Sequence, residues 1–136
     1  MSFREKSTWI TFVLVLIVFL FWLQSVFTHT LFGHNAGLGV VLTLIAFVVA
    51  EIVLHLAIAL QSPAEARAPK DERERLIDLK ACRVGFYVLA VGVWAGIGSM
   101  HIKFSLSFVV PNLMAAFFIA ELAKLGTQLV LYRRDR

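Results

Sequence analysis

Two glutamates, Glu51 and Glu121, lie in stretches otherwise almost free of charge. No Asp, Glu, Lys or Arg occurs at positions 7–50 or 104–120. An ionised carboxylate in the middle of a bilayer costs ~2.5–3.5 kcal/mol on insertion scales, so such groups pair or face a cavity. Glu51 has His55 four residues on and Glu121 has Lys124 three residues on. At those separations the side chains share one helix face. Arg83, one turn into the third apolar stretch, is placed to reach either carboxylate from the basic side. Two chemistries follow. Glu51 and Glu121 could bind a proton or small cation in transit, or the set Glu51, His55, Glu121, Lys124 and Arg83 could be a polar lock joining helices or subunits by hydrogen bonds. For a chain this small the lock is the preferred reading.

The remaining reactive residues give less. His29, His34 and His101 fall on one side of the chain's turns, but two share one loop and no carboxylate accompanies them, so no metal site is expected. His55 lacks a second histidine at its depth, so haem ligation is not expected either. The single cysteine, Cys82, excludes an internal disulfide and a thiolate cage. It has basic neighbours in Lys80 and Arg83 but no general base arranged with it. There is no phosphate-binding loop, dinucleotide fingerprint or HExxH. The sequence therefore predicts no enzyme and no cofactor.

The elements that must position these residues are apolar helices. The chain has 136 residues, 60% apolar and 16% charged, against about a quarter charged in a soluble domain. Its mean hydropathy is +0.82. A helix needs about 20 apolar residues to cross about 30 Å of hydrocarbon. The charge-free stretch 7–50 is long enough for most of two crossings, and its polar break lies at 28–35, with Gly33 and Asn35 as turn residues. The expected spans are 8–27, 36–60, 81–100 and 104–132, with a loop at 61–80. Continuous apolar runs argue against a strand barrel.

Arg4 and Lys6, then Arg67, Lys70, Arg73, Arg75 and Lys80, then Arg133, Arg134 and Arg136, lie at the ends and in the long loop. The first short loop has no basic residue and the last has only Lys103. By the positive-inside rule both termini and the long loop are cytoplasmic. The net charge of +4 thus reads as topology, not nucleic-acid binding. Span one, basic then apolar with no small-residue cleavage site after it, reads as an uncleaved signal anchor. In the loop, Ser62 to Glu65 fits a capping box with Pro63 at the first helical position. Asp71, with Glu74 three residues on, is expected to cap a helix starting near Glu72, with Leu76, Leu79 and Cys82 on one face.

Gly92 and Gly96 form a GxxxG pattern in span three, expected to let the bundle's helices approach closely. Pro111, followed by Asn112, predicts a kink in span four. Trp9, Trp22 and Tyr132 read as interfacial anchors. Phe47-Val48-Val49-Ala50-Glu51 aligns with Phe117-Phe118-Ile119-Ala120-Glu121 at an offset of 70. Two hairpins repeated in one orientation would be related by an axis along the membrane normal.

The segment Ala68-Pro69-Lys70-Asp71-Glu72-Arg73-Glu74-Arg75-Leu76-Ile77-Asp78-Leu79-Lys80-Ala81 resembles the Asp-Glu-Arg-centred segment before the third span in uncharacterised small four-span membrane proteins of bacteria and archaea. That resemblance implies the four-span topology and a prokaryotic cytoplasmic (inner) membrane. In size and span count the chain is also similar to small multidrug-resistance transporters. Those carry a glutamate in the first span, whereas span 8–27 has no acidic residue. The sequence thus predicts an all-α four-transmembrane-helix bundle with both termini cytoplasmic. It is expected to be a homo-oligomer, or bound to a larger membrane-protein partner, in a lipid bilayer. Its expected role is that of a non-enzymatic interaction or accessory subunit, with a proton- or cation-coupled transporter as the alternative.

Overall fold

The computed structural model describes residues 3–27, 36–61, 63, 71–101 and 106–134. Among the described residues the long elements are all helices: α1 (Phe3–Phe27), α2 (Ala36–Gln61), α3 (Glu72–His101) and α4 (Leu106–Arg134). Three of them carry stretches long and apolar enough to cross a membrane: Arg4–Phe27, Val41–Leu60 and Val109–Arg134. The chain is an all-α protein with the features of a multi-pass membrane protein. Glu51 and Glu121 fall within a residue of the middle of the second and third of these stretches. The expected third span, 81–100, lies inside α3, which is not among the three. The first turns of α3 are heavily charged, and its charge-free run begins only at Val84.

α1 starts at Phe3, five residues before the expected span, and so takes Arg4, Glu5 and Lys6 into the helix. Glu5 in its first turn is buried. The start of α3 at Glu72 follows from local hydrogen bonds. The Asp71 carboxylate accepts from the Glu72 N–H at 2.8 Å, and the Glu74 carboxylate accepts from the Asp71 N–H at 3.3 Å. The Arg75 N–H donates to the Asp71 carbonyl at 3.0 Å. A side chain on each side thus satisfies amides that the first turn would otherwise leave open. Of the expected cap, Ser62, Ala64 and Glu65 lie outside the described residues, as do the break at 28–35 and the loop residues 102–105.

The chain divides into two compact units, Met1–Pro69 and Lys70–Arg136. In the first, α1 and α2 touch over a short stretch. Ser7, Thr11, Val15, Trp22 and Ser25 recur at intervals of three, four and seven, which places them on one face of α1. Val15, Trp22 and Ser25 on that face are buried. Trp22 was expected at the lipid interface but is 2% exposed, stacked on Phe19 with ring centroids 6.1 Å apart. Its place on the inward stripe explains the difference. The buried Ser25 hydroxyl donates to the Phe21 carbonyl at 2.9 Å, so its polarity is satisfied within the helix. Apart from the face that carries Glu51 and His55, α2 is largely apolar, and Ile45, Val48, Val49, Ile52, Val53 and Leu56 are exposed. Such a surface suits lipid, where helix exteriors need no polar face.

In the second unit α3 and α4 pack along their length. The inward face of α3 is the stripe Ile77, Ala81, Gly85, Gly92 and Gly96. Ile77 and Ala81 are buried, while Leu76, Leu79 and Cys82, the face picked out in the sequence, are exposed. A Cβ on Gly92 would stand 2.4 Å from the Ala116 Cβ, and one on Gly96 would stand 3.0 Å from Leu113 Cδ2. The two glycines therefore set the helix separation inside this hairpin. Pro111 sits near the start of α4, which continues through it. Asn112 lies against Gly96, its Nδ2 3.4 Å from where a Cβ would be.

Adding one methyl group at Gly92 must move α3 or Ala116, because nothing in that contact is flexible. Gly92→Ala is expected to destabilise the protein in detergent by about 1–3 kcal/mol, the usual cost of overpacking. Ala116→Gly in the same chain should recover part of it. Gly98→Ala meets nothing within 4 Å and should cause no loss. Thermal unfolding followed by circular dichroism reads all three.

Candidate functional site

Each mid-span carboxylate is engaged by a nitrogen one turn along its own helix. In α2, His55 Nε2 lies 3.1 Å from Glu51 Oε2. In α4, Lys124 Nζ donates to Glu121 Oε1 at 2.7 Å. Both pairs are the ones expected from the spacing. The two aligned pentapeptides each end in a glutamate with a nitrogen partner on its C-terminal side. Arg83 is exposed and makes no ion pair with Glu121. With Lys124 closing on the carboxylate, Glu121 already has a cation.

The two pairs are built differently. Lys124 lies over Gly85: a Cβ there would stand 3.0 Å from the Lys124 Cβ and 3.2 Å from the Ala120 carbonyl oxygen. Gly85 therefore leaves room for the lysine stem, whose ammonium then reaches back to Glu121, about one-third exposed. Two turns further along the same seam, Gln128 Nε2 donates to Asp78 Oδ1 at 3.1 Å. Nothing in the residue pattern singles out the Asp78 carboxylate that this cross-helix bond occupies. The Gly85 packing and the Gln128–Asp78 bond hold α3 against α4.

The Glu51 pair reaches across to α1. The Thr11 hydroxyl is 3.2 Å from His55 Nε2, and the Ser7 hydroxyl is 3.4 Å from His55 Nδ1. Both ring nitrogens of His55 thus have a hydroxyl on the neighbouring helix, and Nε2 has the carboxylate as well. Hydroxyls can donate or accept, so this arrangement satisfies either imidazole tautomer. Glu51 is 22% exposed, His55 50%. Glu51 Oε1 is buried with no hydrogen-bond partner among the described residues. Ser7 and Thr11 were not anticipated. The signal for them is nonetheless in the chain: positions 7 and 55, and positions 11 and 51, are symmetric about position 31, within the expected turn.

Beside this cluster is an open groove of about 320 Å³ lined by Trp9, Ile10, Val13, Leu14, Ile17 and Leu54. Its walls are almost wholly apolar and offer little to orient a polar solute. His29 and His34 lie outside the described residues, as does the side chain of His101. Among the described residues no three His, Cys, Asp or Glu side chains gather as a metal site would require. Cys82 is exposed on α3.

Comparison of the chain with protein-family models, with curated proteins and with solved structures finds no match in any of the three.

If the hydroxyl contacts tie α1 to α2, Thr11 and His55 must be energetically coupled. A double-mutant cycle on Thr11→Val and His55→Leu is expected to give about 0.6 kcal/mol, and no more than ~1.7, the range for side-chain hydrogen bonds between membrane helices. Reversible unfolding in detergent supplies the four stabilities.

Proposed function

We propose that the chain is a small four-span protein of the prokaryotic cytoplasmic membrane, both termini inside, that works as a non-enzymatic interaction or accessory subunit. The observation that carries this reading is the state of the two mid-span carboxylates. Both are already held by partners on their own helices, and the Glu51 set is spent on joining α1 to α2. Polar groups used in this way lock helices together. The apolar surface of α2, exposed over most of its length, gives a second copy or a larger membrane protein a face to pack against. The basic residues at the chain ends and in the loop support the orientation. The resemblance of the segment around Asp71 supports four spans and the prokaryotic inner membrane, and the charge-free run of α3 from Val84 onward supplies the fourth crossing.

A second reading, a proton- or cation-coupled transporter of a small solute, is favoured by one feature: the buried, unpartnered Oε1 of Glu51. Such an oxygen is a place for a proton or cation to bind. The two readings part at Glu51→Gln. An amide can still hydrogen-bond to His55 but cannot change charge.

As a lock, Glu51→Gln keeps function and at most loosens assembly; as a coupling site, it abolishes proton-linked flux and leaves assembly intact. Native mass spectrometry of the protein gently extracted from its membrane, with flux in liposomes of the same preparation, checks both. We expect a complex whose subunits persist in the variant. Intact assembly with lost activity would reject the lock.

A further inference from the structure

We propose that Glu51 exchanges a proton with the basic end of the α1–α2 hairpin through His55, with the hydroxyls of Ser7 and Thr11 serving the two imidazole tautomers. This goes beyond the subunit reading and does not depend on whether the chain works alone or in a complex. It rests on α2 lying in the membrane.

The geometry is that of a relay. Ser7 is one turn from the basic start of α1, and its hydroxyl faces Nδ1, the ring nitrogen pointing away from the carboxylate. Nε2 faces Glu51 Oε2 at 3.1 Å. His55 is half exposed, whereas Glu51 is largely covered and sits mid-span. The imidazole therefore stands between the more open and the more enclosed ends of one line of hydrogen-bonding groups. Starting from the Nε2–H tautomer, the Ser7 O–H bond breaks as its proton forms an N–H bond at Nδ1, and the Ser7 oxygen takes a replacement proton from hydronium, which leaves as water. The Nε2–H bond breaks, and its proton forms an O–H bond on Glu51 Oε2. The ring ends neutral in its other tautomer, with the Thr11 hydroxyl beside the vacated Nε2. One proton has been taken up and the carboxylate has become a carboxylic acid. Release runs the same steps backward and returns the proton to water as hydronium.

The groups around His55 leave this line intact. Its contacts on α1 are uncharged, and on α2 its contact is Glu51. Arg4 lies one turn before Ser7 on the same face of α1, Lys6 is exposed on another, and Glu5 is buried beside them. Among the described residues the Glu121–Lys124 pair has no comparable route. Its lysine accepts no hydrogen bond while charged and is engaged within its own helix.

The experiment is time-resolved infrared spectroscopy of the full chain in lipid nanodiscs after a switch from H2O to D2O. The expected result is a protonated-carboxyl band that is missing in Glu51→Gln. Its deuterium shift should slow by about a hundredfold in His55→Leu, a typical worth for a positioned acid–base group. The double variant Ser7→Ala, Thr11→Val keeps the Glu51–His55 pair and should also slow exchange. No Glu51 band at any pH across the range where carboxyl and imidazole groups titrate would overturn the proposal. So would exchange in His55→Leu as fast as in the parent. If His55→Leu does not fold, the double variant decides: slowed exchange supports the relay, and unchanged exchange rejects it.

Discussion

A polar group surrounded by hydrocarbon has no water to turn to and must find its partner inside the protein. That constraint accounts for most of what this chain does with its residues. It makes the backbone helical, since a helix satisfies its own amides. It also places a nitrogen one turn from each mid-span carboxylate, so that Glu51 meets His55 and Glu121 meets Lys124. Buried hydroxyls obey it too: the Ser25 side chain donates to the carbonyl one turn back. Where an amide lies at the start of a helix, as at Asp71 and Glu72, a carboxylate is supplied for it.

The two hairpins meet the constraint by different means. α3 and α4 are brought close by small residues, with Gly92 against Ala116 and Gly85 under the stem of Lys124. Close approach gives dispersion contacts that lipid cannot match. α1 and α2 touch less, and what joins them at one end is polar: Ser7, Thr11 and His55. A hairpin tied by a few hydrogen bonds can rearrange at smaller cost than one set by interlocked backbones. The carboxylate with an unpartnered oxygen belongs to the loosely joined hairpin, and the carboxylate with an ammonium belongs to the tightly packed one.

Much of the fold was legible because it depends on local pattern. Long apolar runs with few charges mark α1, α2 and α4, and the Asp71–Glu74 spacing marks the start of α3. The pairs within one helix, Glu51–His55 and Glu121–Lys124, followed from spacing by three and four. What was missed depends on which face of a helix turns inward, and in a membrane chain that face is not marked by hydrophobicity. Leu76 and Leu79 are more apolar than Ala81 and Gly85, yet Ala81 and Gly85 lie inside beside Ile77, where close approach of α3 and α4 decides the packing. Trp22 was read as an anchor for the same reason. Ser7 and Thr11 look like ordinary helix residues until the hairpin is folded about its turn, which sets them level with His55 and Glu51. The Asp78–Gln128 bond is of that kind as well.

The central claim is that the two glutamates sit at mid-bilayer depth, each held by its own helix. Spin labels at Val49→Cys and Ile119→Cys, two residues from the glutamates and exposed, measure that depth directly against labels at Lys6→Cys and Arg134→Cys. All four are placed in a Cys82→Ser background in lipid vesicles, and collision with oxygen is compared with collision with a water-soluble nickel chelate. The account predicts high oxygen and low chelate accessibility at positions 49 and 119, and the reverse at positions 6 and 134. Chelate reaching 49 and 119 as freely as the chain ends would contradict it.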